Sequence, residues 1–296
     1  MREMPELQGR RGTWRRVIER ISEDRQTVDG WTEGFPGPGE TTLSSGATSL
    51  AREDRSRVIT GGAFSQAVIG FSDRLFVTAG VRVDGNSAFG QDFGWQVYPK
   101  VSTSYVISDE SFFPENLGTL KLRSAWGTAG RAPGAFDAVR TWAPTPWGSQ
   151  QSFAPNNLGN PALGPERTAE WEVGFESSTV NNRLTLDFTY YHQITTDALV
   201  SVGSPPSMGD WTNQLENIGK LKNTGLELGV TMNAIQGRVW NVDVGGDIST
   251  NNSEILTLGR GTNSSSIRVG EPFPVVRGKH ILNPYDIADP IYANGG

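Results

Sequence analysis

Alternation of apolar and polar residues is the feature that most constrains how this chain of 296 residues folds. From Leu75 to Asp84, apolar residues stand at every second position, and the residues between them are small or polar except for Phe76. Side chains on a β-strand point to opposite faces with a period of two, so this segment has one apolar and one polar face. Further copies occupy residues 169–176, 184–190, 225–234 and 240–248, and weaker copies occupy 58–70, 97–107 and 119–127. The pattern predicts an all-β chain of about eight long strands.

Alternating strands occur in soluble β-sandwiches, which bury their apolar faces between two sheets, and in membrane barrels, which turn them to lipid. Strand length favours the barrel, because a tilted membrane crossing needs about 9–11 residues and soluble strands average about 5–6. Aromatic residues near strand ends, as at membrane interfaces, favour it too. These aromatic residues are Phe71, Tyr105, Trp126, Tyr190, Tyr191 and Trp240.

Short and long connections alternate along the chain. Short or moderate turns are predicted at 71–74, 108–118, 177–182 and 234–238, and long loops at 85–94, 128–166 and 203–220. Membrane barrels have short periplasmic turns and longer extracellular loops, whereas a sandwich has no reason to sort its loops in this way. The sequence therefore predicts the antiparallel, up-and-down strands of a large transmembrane β-barrel.

Composition and residue placement exclude several kinds of function. The formal net charge of −6 and the absence of cysteine argue against a nucleic-acid partner and against thiolate metal sites. The two histidines leave little basis for a histidine metal site or triad, and His192 follows the apolar parity of its strand. Glu170, Glu172 and Glu176 share one strand face, which fits a polar barrel lumen better than a glycosidase-like carboxylate pair. We therefore expect no enzymatic activity, no cofactor and no metal.

Six blocks of sequence carry a family resemblance in a fixed order. They are VRVDGNSAFG (81–90), YPKVS (98–102), ISDESFF (107–113), LKLRSAWGTAG (120–130), NPALGPE (160–166) and NIGKLKNTGLEL (217–228). Together they resemble the SusC/RagA-type TonB-dependent receptors. The resemblance implies energy-coupled uptake of oligosaccharides or peptides across the outer membrane of a Gram-negative cell. It also implies outer-membrane lipid around the barrel, a plug domain through which the TonB complex acts, and a SusD-like lipoprotein as a further partner.

The resemblance covers part of such a receptor, whose barrel has about 22 strands. No plug domain or TonB box is found before Val58. We therefore expect an internal barrel fragment, an open partial barrel of about eight strands, with the plug domain and the C-terminal strands absent. Residues 46–296 are assigned to the barrel and residues 1–45 to a poorly defined N-terminal segment. In that segment, the helical spacing of Trp14, Val17, Ile18 and Ile21 predicts a short amphipathic segment.

The loop at 128–166 is the best candidate for substrate recognition. Aromatic faces stack on sugar rings and apolar peptide groups, and arginine supplies a fork of hydrogen-bond donors. The alternative is that these side chains pack the loop against its neighbours. The candidate residues are Arg131, Arg140, Trp142, Trp147 and Phe153.

Period-two alternation also assigns individual side chains to the two faces of the wall. An alternative function, a soluble β-sandwich or adhesin-like binding module, would bury the same apolar face inside the protein. We expect Val81, Val173, Leu186, Leu228 and Val244 to face lipid, and Arg82, Glu172, Asp187, Glu227 and Asp243 to face the lumen.

Overall fold

The computed structural model describes residues 2–3, 10–39, 42–91, 94–148, 150–204, 207, 213–259, 267–273 and 275. Within these residues the regular structure consists of β-strands and two short 3₁₀ turns, at Ile107–Asp109 and Glu115–Leu117. The strands are β1 (Arg2–Glu3), β2 (Arg10–Glu33), β3 (Thr48–Phe71), β4 (Leu75–Asn86), β5 (Gln96–Val106), β6 (Thr119–Arg131), β7 (Thr141–Trp147), β8 (Gln150–Asn157), β9 (Glu166–Thr179), β10 (Leu184–Gly203), β11 (Asn213–Gln236) and β12 (Asn241–Thr257).

Ten strands form one antiparallel sheet in the order β1-β2-β3-β4-β5-β6-β9-β10-β11-β12. Strands β7 and β8 form a separate hairpin in the connection from β6 to β9. In the part of the chain that the structure describes, the first and last strands of the large sheet do not pair with each other. The all-β fold and the open partial barrel are confirmed, with ten strands where the sequence predicts about eight.

The predicted short amphipathic segment at Trp14–Ile21, based on helical spacing, is wrong, because these residues lie in strand β2. This strand pairs with β3 from Arg10↔Phe71 to Glu33↔Thr48. Apolar residues of β2 occupy both parities, so the strand lacks clean alternation and its spacing looks helical. Pairing with the exposed backbone groups of β3 outweighs that local pattern. The sheet thus continues across the boundary assigned at residue 46, and the other parts of that domain division stay predictions.

Connections of different length lie at opposite rims of the sheet. One rim, the short-turn rim, has the connections 72–74, 107–118, 180–183 and 237–240. The other, the long-loop rim, has 34–47, 87–95, 132–165 and 204–212. The predicted sorting of loops is therefore present for three of the four connections at the short-turn rim. The fourth, 107–118, is of moderate length and exceeds 87–95 and 204–212 at the other rim. The loop predicted at 203–220 is shorter than expected, since β11 begins at Asn213.

Buried apolar residues are few, and most of them lie towards the long-loop rim. A single sheet leaves both of its faces uncovered, so most strand residues are half-buried or exposed. In the described residues, the buried apolar side chains lie in loops or near strand ends at this rim. The buried apolar residues are Ala88, Tyr98, Leu158, Leu163, Ala198 and Ile255. The described chain therefore forms a thin wall with a folded rim, and it has no second sheet stacked on the first, which excludes the predicted alternative of a sandwich.

Candidate functional site

The strand register places polar and apolar side chains on opposite faces of the wall. Directly opposed residues of antiparallel strands share a face. On one face Glu172 is opposite Tyr191, Asp187 is opposite Glu176, and Asn233 is opposite Asp243. On the other, Phe188 is opposite both Phe175 and Leu228. The predicted division of Val81, Val173, Leu186, Leu228 and Val244 from Arg82, Glu172, Asp187, Glu227 and Asp243 agrees with this register throughout.

The apolar face is lined by packed aromatic and aliphatic side chains. Phe175 stacks on Phe188 with ring centroids 5.5 Å apart, and Trp171 meets Tyr190 edge-on at 6.3 Å. His192 is opposite Trp171 on this same face, as its parity predicts. Tyr191 departs from the predicted aromatic girdle, because its hydroxyl donates to Asn251 Oδ1 on the polar face at 3.2 Å. The apolar face continues over about 34 Å along β10, from Leu184 to Ile194.

Ion pairs cross the strands on the polar face. The guanidinium of Arg123 donates to Glu176 Oε1 at 3.0 Å and to Asp187 Oδ1 at 2.5 Å. Lys121 Nζ lies 3.2 Å from Glu176 Oε2. These side chains are between one third and one half exposed, so solvent weakens their attraction. The pairs knit β6, β9 and β10 together across a wet surface.

The acidic row on β9 is held by neighbouring strands. Glu176 is occupied by Lys121 and Arg123, and Glu170 Oε2 accepts a hydrogen bond from Gln193 Nε2 at 2.7 Å. Gln193 Oε1 in turn accepts a hydrogen bond from Asn223 Nδ2 at 3.0 Å. These contacts form a polar ladder from β9 to β11, as expected for a hydrated wall.

The predicted recognition loop carries the hairpin β7–β8 at its centre. Trp142 is opposite Pro155, and Pro144 is opposite Phe153. These four side chains therefore share one side of the hairpin, which we call the hairpin aromatic face. Trp142 is 52% exposed and Phe153 is 69% exposed. The structure thus brings together two of the five predicted residues on one solvent-exposed surface.

The other three predicted residues lie elsewhere on the loop. Trp147 is opposite Gln150, which puts it on the reverse side of the hairpin, and it is 80% exposed. Arg140 Nε donates to the carbonyl of Leu158 at 3.5 Å, at the foot of the hairpin. Arg131 ends β6 and lies 3.8 Å from the carboxylate of Glu166. Arg131 and Arg140 therefore contact the base of the loop, away from the hairpin aromatic face.

Sequence reasoning missed a group of polar contacts that fixes the base of this loop. Asn217 on β11 and Asn160 and Glu166 in or beside the loop make side-chain hydrogen bonds to backbone groups of other segments. Gln214 joins them, and Leu163 is fully buried beneath. We call Asn160, Leu163, Glu166, Gln214 and Asn217 the loop anchor. Four of these five residues lie in two of the blocks that carry the family resemblance. Their place in those blocks is the sequence signal that could have found them.

The chain matches a known protein family over most of its length. The family model described as TonB dependent receptor-like, beta-barrel, matches residues 8–283. The chain belongs to the TonB-dependent receptor β-barrel family. The SusC/RagA resemblance is confirmed as well, because SusC of Bacteroides thetaiotaomicron is 29% identical over 203 residues, which cover 65% of this chain and 20% of SusC.

Two further relatives match a larger share of this chain. The TonB-dependent receptor P26 of Formosa agariphila is 29% identical over 287 residues, which cover 87% of this chain and 29% of that receptor. The structure of the RagAB peptide transporter superposes with a TM-score of 0.78 at 24% identity, covering 88% of this chain and 29% of that one, and it shows the shared fold. The chain thus spans less than a third of the length of these relatives. By their names these relatives are receptors and transporters rather than enzymes.

Proposed function

We propose that this chain forms part of the barrel wall of an outer-membrane TonB-dependent transporter in a Gram-negative cell. The division of the sheet into an apolar and a polar face carries the proposal. At the usual strand tilt of about 45°, the apolar stretch of β10 rises about 25 Å, the height of the lipid-facing band of such barrels. The apolar face then contacts outer-membrane lipid, and the polar face lines the lumen.

The long-loop rim, in this proposal, faces the outside of the cell. Long loops on one rim and short turns on the other match the extracellular and periplasmic ends of outer-membrane barrels. Partners then meet the two ends separately. A SusD-like lipoprotein covers the long-loop rim, and the TonB complex acts through the plug region of the whole receptor. The names of SusC and of the RagAB peptide transporter support an oligosaccharide or a peptide as the transported substrate.

The hairpin aromatic face, we infer, contacts that substrate. Trp142 and Phe153 present flat apolar surface to solvent at a rim built from folded loops. Side chains that served only to pack the loop would be covered by it, and Phe153 in particular is not. Trp147, Arg131 and Arg140 stay predictions as substrate contacts.

Uptake by the full-length receptor tests this contact. Labelled tryptic peptides and labelled maltooligosaccharides are supplied to cells that express the wild type, Trp142→Ala or Phe153→Ala. We expect either substitution to raise the half-saturating concentration of one probe by about tenfold, because a lost aromatic contact is worth about 1–2 kcal/mol. Phe112→Ala is the matched control, since Phe112 is 70% exposed but lies at the short-turn rim.

Two outcomes would contradict the contact. Unchanged half-saturation for both variants at equal surface abundance would remove the hairpin aromatic face from recognition. An effect of Trp147→Ala alone would place the contact on the reverse side of the hairpin. Fractionation tests the location independently, because recovery of the full receptor as a soluble monomer, outside detergent-solubilised outer membrane, would refute the membrane wall.

A further inference from the structure

We propose that the loop anchor fixes the orientation of the β7–β8 hairpin relative to the wall. Asn217 and Glu166 are then positioning residues, which hold the hairpin aromatic face in place for substrate recognition. The inference rests on the proposed function, because it assigns the hairpin a substrate to meet. Its structural part, the attachment of the hairpin to the wall, stands on the contacts that follow.

Asn217 joins three separate segments with one side-chain amide. Its Nδ2 donates to the carbonyl of Gly164 at 2.9 Å and to the carbonyl of Asp197 at 2.9 Å. Its Oδ1 accepts from the amide of Gly164 at 2.8 Å. The side chain thereby ties β11 to the end of the recognition loop and to β10. Only a carboxamide supplies two donors and an acceptor, so an aspartate at this position would lose both donated bonds.

Glu166 secures an irregular point of β10. The register of β10 against β11 shifts around Ala198, and Asp197 adopts a positive φ of 56°. A bulge of this kind takes backbone groups out of the ladder, and those groups need other partners. Glu166 Oε1 accepts from the amide of Leu199 at 2.8 Å, while Asn217 occupies the carbonyl of Asp197. The bulge is therefore held by side chains from both neighbouring strands.

Residues 157–160, which the loop anchor holds, are close to both ends of the hairpin, the start of β7 and the end of β8. Gln214 Nε2 donates to the carbonyl of Gly159 at 2.7 Å, and Asn160 Nδ2 donates to the carbonyl of Leu215 at 2.9 Å. On the hairpin side, Asn157 Nδ2 donates to the carbonyl of Val139 at 3.1 Å. Residues 157–160 thus link the end of β8 and the start of β7 to β11.

The β4–β5 loop packs against the recognition loop next to the loop anchor. The amide of Gly90, in the β4–β5 loop, donates to the carbonyl of the fully buried Leu163 at 2.8 Å. A Cβ at Gly90 would overlap the carbonyl oxygen of Pro161, so the two loops approach as closely as a glycine allows. Two connections of the long-loop rim, 87–95 and 132–165, therefore share one base with the adjoining ends of β10 and β11. The hairpin aromatic face projects from that base in a set direction, and this pre-organisation lowers the cost of ordering the loop on binding.

Distance measurements between spin labels test the attachment in the full-length receptor. The 296 residues contain no cysteine, so labels at Thr145→Cys on the hairpin and Ser249→Cys on β12 are specific within this chain once cysteines elsewhere in the receptor are replaced. We expect a narrow distance distribution in the wild type and a broad one in Asn217→Ala and Glu166→Ala. Glu166→Gln keeps an oxygen acceptor for Leu199 and should restore the narrow distribution.

Asn223→Ala is the matched control. Asn223 is also a β11 asparagine, but its side-chain amide donates to Gln193 on the polar ladder. Hydrogen exchange adds a local readout, since the amides of Gly164 and Leu199 donate to the substituted side chains. Loss of either acceptor should speed exchange of its amide by about tenfold, and the control should leave both amides unchanged.

Uptake of the labelled peptides and maltooligosaccharides then tests positioning. We expect Asn217→Ala and Glu166→Ala to raise half-saturation by about three- to tenfold with the maximal rate per receptor preserved, and Glu166→Gln to restore it. Unchanged label distances in Asn217→Ala would overturn the anchor itself. Broadened distances with unchanged uptake would overturn the positioning role. Normal uptake in Trp142→Ala, together with narrow label distances in the wild type, would contradict the proposed function and leave the loop anchor supported.

Discussion

Leu228→Arg is the substitution that tests the proposed lipid-facing surface most directly. Leu228 lies on the apolar face of β11, with Phe188 opposite it on β10 and Ile248 on β12. It sits near the middle of the apolar stretch Leu226–Met232, so its side chain should lie near the centre of the membrane. An arginine at that depth costs about 2–4 kcal/mol, which shifts the folding equilibrium by about thirtyfold to nearly a thousandfold.

Thr231→Arg is the matched comparison, because it adds the same side chain to the same strand on the opposite face. Thr231 is exposed and lies opposite Gly245, with Asp243 and Asp247 near it on that face. We expect a change within about 0.5 kcal/mol. The assay refolds the full-length receptor into lipid vesicles over a urea series and reads the folded fraction from its heat-modifiable mobility in electrophoresis. Equal midpoints for the two arginine variants would refute the assignment of the faces.

Three further outcomes follow from the same structure. Val244→Arg should cost only about 0–1 kcal/mol in the vesicle assay, because Val244 lies at the start of β12, close to the short-turn rim, and a cost equal to that of Leu228→Arg would contradict this depth. Arg123→Met should lower the free energy of unfolding by about 1 kcal/mol in low salt and by less in high salt, because it leaves Glu176 and Asp187 without their shared guanidinium. Thermal unfolding at two ionic strengths measures this loss. A loss that does not depend on salt would mean that Arg123 stabilises the wall by packing and not by its charge. Gly90→Ala should speed proteolysis within residues 132–165, because its methyl group has no room beside Pro161, whereas Gly94→Ala, with open space around it, should not; equal cleavage rates would contradict the close approach of the two loops.

The two faces of the wall could be read from the sequence because side-chain direction in a strand is a local property. Once a segment is extended, every second residue points the same way, whatever its neighbours are. The alternation alone therefore assigns Leu228 and Glu227, or Val173 and Glu172, to opposite faces, and the strand pairing agrees. The sorting of loops followed from chain order, since successive connections of an up-and-down sheet alternate between rims.

Strand pairing, by contrast, is decided between segments that are distant in sequence. The apolar residues of β2 lie on both faces, so its local spacing indicated a helix, and only the backbone edge of β3 makes it a strand. The hairpin β7–β8 was also hidden, because a proline such as Pro144 argues against a central strand but is tolerated in an isolated pair.

The candidate site divides in the same way. Its composition, aromatic residues in a long loop, was visible along the chain, but the sequence could not show that Trp142 and Phe153 share a side and that Trp147 does not. Asn217 is a plain polar residue in the sequence, and its role depends on Gly164 and Asp197 being brought beside it by β9 and β10. Period-two alternation determined the wall, because it is local; tertiary structure alone decided the rim, because its hydrogen bonds join residues that only the completed sheet brings together.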